Sequence, residues 1–394
     1  MNPLANLPTP AAVVDLQRVM RRVRDGHAAV VALPRLQRNI ARMQAQLDTL
    51  GVKFRPHVKT TKCADIVRLQ VAAGASGLTV STLKEARQFY AEGHRDILYA
   101  VGIVPNKFEA ALALRREGCD LKLITDNVAM AQALGAFGRA NGHRFELWIE
   151  VDTDGHRSGV APDSDLLLEL GRAIEAAGST LGGVMTHAGA SYELDTPEAL
   201  AAMAEQERAG CVRAAERLRA IGLACPVVSV GSTPTALSAR ALPGVTEVRA
   251  GVYAFFDLVM ANVGVCAPED IALSVLTTVI GHQPEKGWAI VDAGWMAMSR
   301  DRGTQRQRHD YGYGQVCDAE GRVLPGYVLS GANQEHGILA REGEPDAGIV
   351  QRFPVGTPLR VLPNHACATA AQFPHYEVIT AEGALHEWPR FQGW

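Results

Sequence analysis

The chain has 394 residues, of which 47% are hydrophobic and 21% charged, with a formal net charge of −3 at pH 7. That mixture is too apolar for a disordered chain, and no dense basic run argues for nucleic acid as a partner. No uninterrupted apolar stretch approaches the roughly 20 residues a membrane helix needs, and the opening MNPLANLPTP has neither the basic start nor the apolar stretch of a secretory signal. Seven cysteines are scattered without paired spacing, as reduced thiols would be, so the expected location is the cytoplasm.

Residues 11–22, AAVVDLQRVMRR, echo residues 28–39, AAVVALPRLQRN, at an offset of 17. Only the second copy runs directly into a helical pattern. The segment 1–27 is therefore expected outside the first domain, or packed on the second. From residue 28, short β-rich runs alternate with longer amphipathic stretches. The runs are AAVVAL (28–33), VKFRPHVK (52–59), GLTVST (77–82), DILYAVGI (96–103), DLKLITD (120–126), FELWIEVD (145–152), GGVMTHAG (182–189) and VVSVGST (227–233). Most are nearly continuous apolar runs, as parallel strands buried on both faces require. Between them, segments such as LQRNIARMQAQLDTL and SDLLLELGRAIEAAG place apolar residues at i, i+3, i+4 and i+7. Eight such units predict an α/β fold, a (βα)8 TIM-like barrel over residues 28–267. A doubly wound open sheet is the competing architecture, and no glycine fingerprint supports it. Residues 268–394 change texture to short alternating runs cut by Gly, Pro and Asp turns, which predicts a C-terminal antiparallel β domain.

Chemistry in such a barrel belongs at the C-terminal ends of the strands. Lys59 closes the run RPHVK, either as a Schiff-base amine facing the barrel mouth or as a solvated lysine beginning a loop. Gly231, Ser232 and Thr233 follow an apolar strand and offer N–H groups and hydroxyls to a phosphate, or serve as a plain helix cap. The later run RAGVYAF adds Gly251 and Tyr253 as further phosphate contacts. His365 and Cys367 stand at i and i+2, one face of an extended strand; they are either a partial zinc site with coordination positions left open or an HxC pair with no metal role, the motif alone being weak. Arg300, Arg302, Arg306, Arg308 and His309 crowd one segment against only Asp301 and Asp310. That loop is either merely solvated or suited to a substrate with a second carboxylate.

The strings RPHVKTTK, VDTDGHRSGV, THAGASYEL, VSVGSTPTA, TEVRAGVY, NQEHG and PNHACAT, in that order, resemble the D-serine dehydratase and D-threonine aldolase family. The resemblance implies a homodimeric pyridoxal-phosphate enzyme of the alanine-racemase-like fold (fold type III), with an N-terminal barrel and a C-terminal β domain. It implies that Lys59 carries pyridoxal 5'-phosphate and that Gly231, Ser232, Thr233, Gly251 and Tyr253 hold its phosphate. His187 and Tyr192 would line the cofactor as catalytic residues beside Lys59, and Arg157 would meet the ring phenolate. His365 and Cys367 would hold a divalent metal, zinc by expectation, with manganese and cobalt as alternatives. Cysteine at the second metal position resembles the dehydratase branch, where aldolases carry an acidic residue. The implied reaction converts a D-3-hydroxy amino acid, D-threo-3-hydroxyaspartate or D-serine, to a 2-oxo acid and ammonia. Cleavage to glycine and an aldehyde, or a non-catalytic cofactor carrier, are the alternatives.

Overall fold

A computed structural model describes residues 27–393; the first copy of the duplicated run, like all of segment 1–26, lies outside the described residues. The chain divides into two compact units. One holds Asn39–Ala254, Met260–Cys266 and the residues from Phe391 onward. Its eight parallel strands are β2 (Lys53–Phe54), β3 (Leu78–Val80), β4 (Asp96–Gly102), β5 (Asp120–Thr125), β6 (Glu146–Glu150), β7 (Thr180–Met185), β8 (Val227–Val230) and β9 (Glu247–Val248). They run in the order β2-β9-β8-β7-β6-β5-β4-β3. A bridge between His57 and Thr79 brings the two ends together, with Val58 N–H donating to Thr79 O at 2.9 Å. The sheet thus closes into the expected barrel.

The helices begin where cap chemistry places them. Thr82, Asn127, Ser164 and Thr196 each accept a hydrogen bond from a backbone N–H two or three residues on. Inside the ring, Leu98, Ile124, Trp148 and Met185 from four successive strands form one buried cluster. At the N-terminal end of the strands the core turns polar. Glu247 accepts from Arg55 Nε at 3.0 Å and from Ser229 Oγ at 2.7 Å, while Arg55 reaches Asp96 at 2.7 Å. No helix among the described residues is long and apolar enough to cross a membrane.

The other unit holds the described residues up to Arg38, together with Phe255–Val259 and Ala267–Arg390. Its strands are β1 (Ala28–Ala32), β10 (Leu273–Gln283), β11 (Trp288–Val291), β12 (Gln315–Cys317), β13 (Val323–Ala332), β14 (Gly337–Arg341), β15 (Pro358–Leu362), β16 (His375–Ile379) and β17 (Leu385–Pro389). The pairings β10–β11–β14–β13–β12–β15 return to β10, so six strands close an antiparallel barrel. The first half of β10 also carries β1, β16 and β17 as an extension. A register shift between Val279 and Gly281 lets β10 turn from one set of partners to the other.

One strand assignment is corrected. The run AAVVA does not open the parallel barrel: β1 pairs antiparallel with β10 and parallel with β16. The barrel begins instead at β2, and its eighth strand is the two-residue β9 within TEVRAGVY. The physical reason is that β1 is buried along four of its five residues, so its apolar run reads like a parallel barrel strand. β9 is disguised the other way, because Glu247 and its neighbour Arg249 are buried polar residues inside the barrel unit.

Candidate active site and metal centre

Beyond β2 the chain makes the His57 bridge and turns through Val58, Lys59 and Thr60, leaving Lys59 exposed. The turn is held from its far side. Lys62, in a left-handed conformation at φ 44°, buries an ion pair with Glu85 at 3.0 Å, and Glu85 also accepts from Ser81 N–H at 2.8 Å. Phe391 N–H donates to Lys62 O at 2.7 Å. From the other side comes Gly251, where an added Cβ would meet His57 O at 3.0 Å and Thr60 Oγ1 at 3.3 Å. Only glycine allows that approach without displacing the turn that carries Lys59.

The remaining expected residues link to this turn in sequence. Tyr253 N–H donates to Thr233 Oγ1 at 3.2 Å, and Ser232 Oγ lies 2.9 Å from Ser191 Oγ. Gly231, at φ 130°, has Arg249 O where a Cβ would sit. Its carbonyl meets His187 Nδ1 at 3.2 Å, and the His187 and Tyr192 rings are 6.1 Å apart. Two of the expected phosphate donors are already engaged: Gly231 N–H by Glu207 at 2.9 Å and Ser232 N–H by Thr235 Oγ1 at 3.0 Å. The Tyr253 side chain is fully buried with its hydroxyl on Gln70 at 2.7 Å. Arg157 stands more apart, 60% exposed and 3.6 Å from Glu150.

Two imidazoles at this mouth are held neutral. Burial drives His187 down to about 3, and the positive charges of Lys59, Arg249 and Arg157 push the same way. His57 lies well below its ordinary value, again by burial first and then by Lys59, Arg249 and His187. Among the described residues, His57 Nδ1 is buried with no side-chain hydrogen-bond partner, which fits a mouth built to receive a polar ligand. An accessible amine beside two neutral imidazoles suits pyridoxal phosphate. Sequence reasoning missed His57, although RPHVK contains it, and also Arg249 and Glu207. Glu207 is a wholly buried carboxylate that accepts from Ala188 and Gly231 N–H, and no local sequence signal marks it.

In the β unit, His365 and Cys367 do meet, but not on a strand. β15 ends at Leu362, His365 caps the short helix Ala366–Ala370, and Cys367 sits in its first turn. The run ACATA consists mostly of good helix formers, which overrides the extended reading. The bend still joins the pair, for His365 hydrogen-bonds with Cys367. Its Nδ1 lies 2.6 Å from Asp301 Oδ2. Burial alone would lower the imidazole pKa, but Cys367 and Asp301 outweigh it and raise it to about 11. A thiol and an imidazole whose other nitrogen meets a carboxylate form a donor set suited to zinc. In the basic loop, Arg302 is taken by Asp310 at 2.8 Å and Arg300 lies over Trp295. A separate cluster, His375, Glu377 and Glu387, brings three ligand atoms within 4.8 Å on β16 and β17.

Comparison with known proteins fixes the class first. Residues 31–259 match the family described as alanine racemase, N-terminal domain, and residues 272–379 match the putative serine dehydratase domain. These define pyridoxal-phosphate enzymes of the alanine-racemase-like fold. Within that class, the chain belongs to the D-serine dehydratase family. It is 68% identical to D-threo-3-hydroxyaspartate dehydratase of Delftia sp. (strain HT23), over 94% of this chain and 98% of the relative. The solved structure of that enzyme superposes with a TM-score of 0.93, over 94% of this chain and 98% of that one. A Cys-to-Ala variant of it was solved in a metal-free form, at 65% identity, a TM-score of 0.93 and coverage of 98% and 100%. D-serine dehydratase of Dictyostelium discoideum is 29% identical over 89% of this chain and 92% of its own. D-threonine aldolase from Filomicrobium marinum is 25% identical with a TM-score of 0.79, covering 92% and 94%.

Proposed function

We propose that the chain catalyses the metal-assisted, pyridoxal-phosphate-dependent dehydration of a D-3-hydroxy amino acid to a 2-oxo acid and ammonia. D-threo-3-hydroxyaspartate is the favoured substrate and D-serine the next. The observation that carries this reading is the His365–Cys367 pair, in a chain 68% identical to D-threo-3-hydroxyaspartate dehydratase.

When bound, pyridoxal phosphate supplies a carbonyl for the substrate amine and an electron-accepting ring, and the metal ion supplies a Lewis acid for the β-hydroxyl. Lys59 would hold the cofactor, and its Nζ would be the base for the substrate α-proton. His57 and His187, kept neutral, orient ligand atoms without adding to the positive charge of Lys59, Arg249 and Arg157. Gly231 lets the chain pass close to Arg249, Gly251 lets it pass close to the turn that carries Lys59, and Arg157 would be the cation for the cofactor's phenolate. His365 and Cys367 give one ligand atom each, leaving positions for the substrate hydroxyl and water. With Arg302 engaged by Asp310 and Arg300 over the Trp295 ring, a distal substrate carboxylate falls to Arg306 or Arg308. Assembly as a cytoplasmic homodimer belongs to the same reading and rests on the family resemblance.

Product analysis tests it. Incubation with D-threo-3-hydroxyaspartate should release ammonia and a 2-oxo acid in equal amounts, with a higher kcat/KM than D-serine. Glycine plus an aldehyde would make the protein an aldolase, and bound cofactor without turnover a carrier. A higher kcat/KM for D-serine would overturn the substrate ranking alone.

A further inference from the structure

We propose that Asp301 is the positioning residue of the metal centre: it orients the His365 imidazole and fixes its proton on Nδ1, so that Nε2 is presented to the ion. The proposal rests on reading His365 and Cys367 as the metal pair. Either ring nitrogen of a neutral imidazole can carry the proton, and the ring can turn over, so a histidine alone specifies neither ligand atom nor direction. A carboxylate 2.6 Å from Nδ1 removes both freedoms and makes the opposite nitrogen a better donor.

The loop that delivers Asp301 is built around the same pair. The short helix Trp295–Met298 ends at Ser299, whose φ of 75° and ψ of 167° belong to a region side-chain-bearing residues rarely occupy. Beyond that kink Asp301 N–H donates to Ser299 Oγ at 3.2 Å. Two residues flanking the pair grip this loop. Thr369 Oγ1 donates to Met298 O at 2.7 Å, and Asn364 Nδ2 reaches Asp301 O at 3.3 Å and Gly312 O at 2.7 Å. Asn364 also accepts from Thr304 Oγ1 at 3.1 Å. The neighbouring cations are spent elsewhere, Arg302 on Asp310 and Arg300 over the Trp295 ring. The charge of Asp301 is therefore directed at the imidazole and the adjacent Gly303 N–H. A strained turn held by the residues on either side of the ligands, and carrying a carboxylate to one ligand, has a clear use in setting that ligand's direction.

The test measures metal affinity of the cofactor-loaded enzyme by competition with a zinc-chelating dye, for the parent, Asp301→Ala, Asp301→Asn and Cys367→Ala. Asp301→Ala should weaken zinc binding by roughly 10–100-fold with the cofactor's visible absorbance and Tm unchanged, and excess zinc should restore kcat. Asp301→Asn, which keeps an acceptor oxygen, should lie in between. Parent-like zinc affinity in Asp301→Ala would overturn the proposal, as would a parallel loss of zinc, cofactor absorbance and Tm in both variants, which would mark a merely structural residue. If Asp301→Ala does not fold, Asp301→Asn decides. Parent-like zinc affinity in Cys367→Ala would instead overturn the reading of the metal pair.

Discussion

His187 illustrates how burial at the barrel mouth sets both chemistry and stability. Its pKa is about 3 in the folded protein, against roughly 6.5 for a histidine in an unfolded chain. As pH falls below the unfolded value, the unfolded chain binds a proton that the folded one refuses, so stability drops. The contribution is complete above about pH 6.5 and erodes down to about pH 3. Replacing His187 with Gln should flatten that part of the curve, seen as a shallower fall of Tm with acidification than in the parent. An equally steep fall in both would mean that other groups, the carboxylates above all, carry the acid sensitivity. The place of His187 at a strand end is legible from the apolar run before it, whereas the contact of Asp301 with His365 is not. Asp301 looked like one of two acids in a basic loop, and nothing local ties it to a histidine 64 positions away.

Among the elements, β9 is as short as β2 and has a heavy duty. It is two residues long, and its place between β8 and β2 is held by side chains as well as by the ladder. Glu247 joins Arg55 of the β2 segment to Ser229 of β8, with both charged side chains only 5% exposed. Replacing Glu247 with Ala strands a buried guanidinium and should cost about 3–5 kcal/mol, measured as a lowered midpoint in urea unfolding. A midpoint within error of the parent would show that Asp96 alone satisfies Arg55. The same elements show where reading from sequence succeeds and fails. Seven barrel strands are visible as apolar runs because parallel strands are dry on both faces. β9 hides because its side chains are polar, and β1 misleads because burial in one sheet leaves the same mark as burial in another. Spacing alone puts Cys367 on a strand because it cannot tell an extended pair from a capped helical turn.

The molecule as a whole has enough apolar interior to fold without a metal ion. Both units have buried hydrophobic residues throughout their sheets, and chains of this size bury about three quarters of their surface. The metal pair is half-exposed, on a five-residue helix rather than in a core. Chelation of the parent, or Cys367→Ala, should therefore leave Tm and the cofactor's absorbance in place. Dehydratase activity should fall by on the order of 10²–10³-fold, the several kcal/mol that a Lewis acid supplies. Added zinc should rescue the chelated parent and not the variant. Unfolding on chelation would make the ion structural.

The position of β1 has a consequence for how the protein is made. Val31 pairs with Leu273 and with Val378, while the barrel strands are encoded between these partners. On the ribosome, Ala28–Ala32 emerges before any of them and must wait, unpaired, through synthesis of the barrel unit. Closing so long a loop is entropically costly, and an apolar strand with free edges is a template for wrong pairing. The second sheet is therefore completed only after β16 and β17 have emerged. Chaperone dependence, if the protein shows any in the cell, should centre on this early strand rather than on the barrel that folds while it waits.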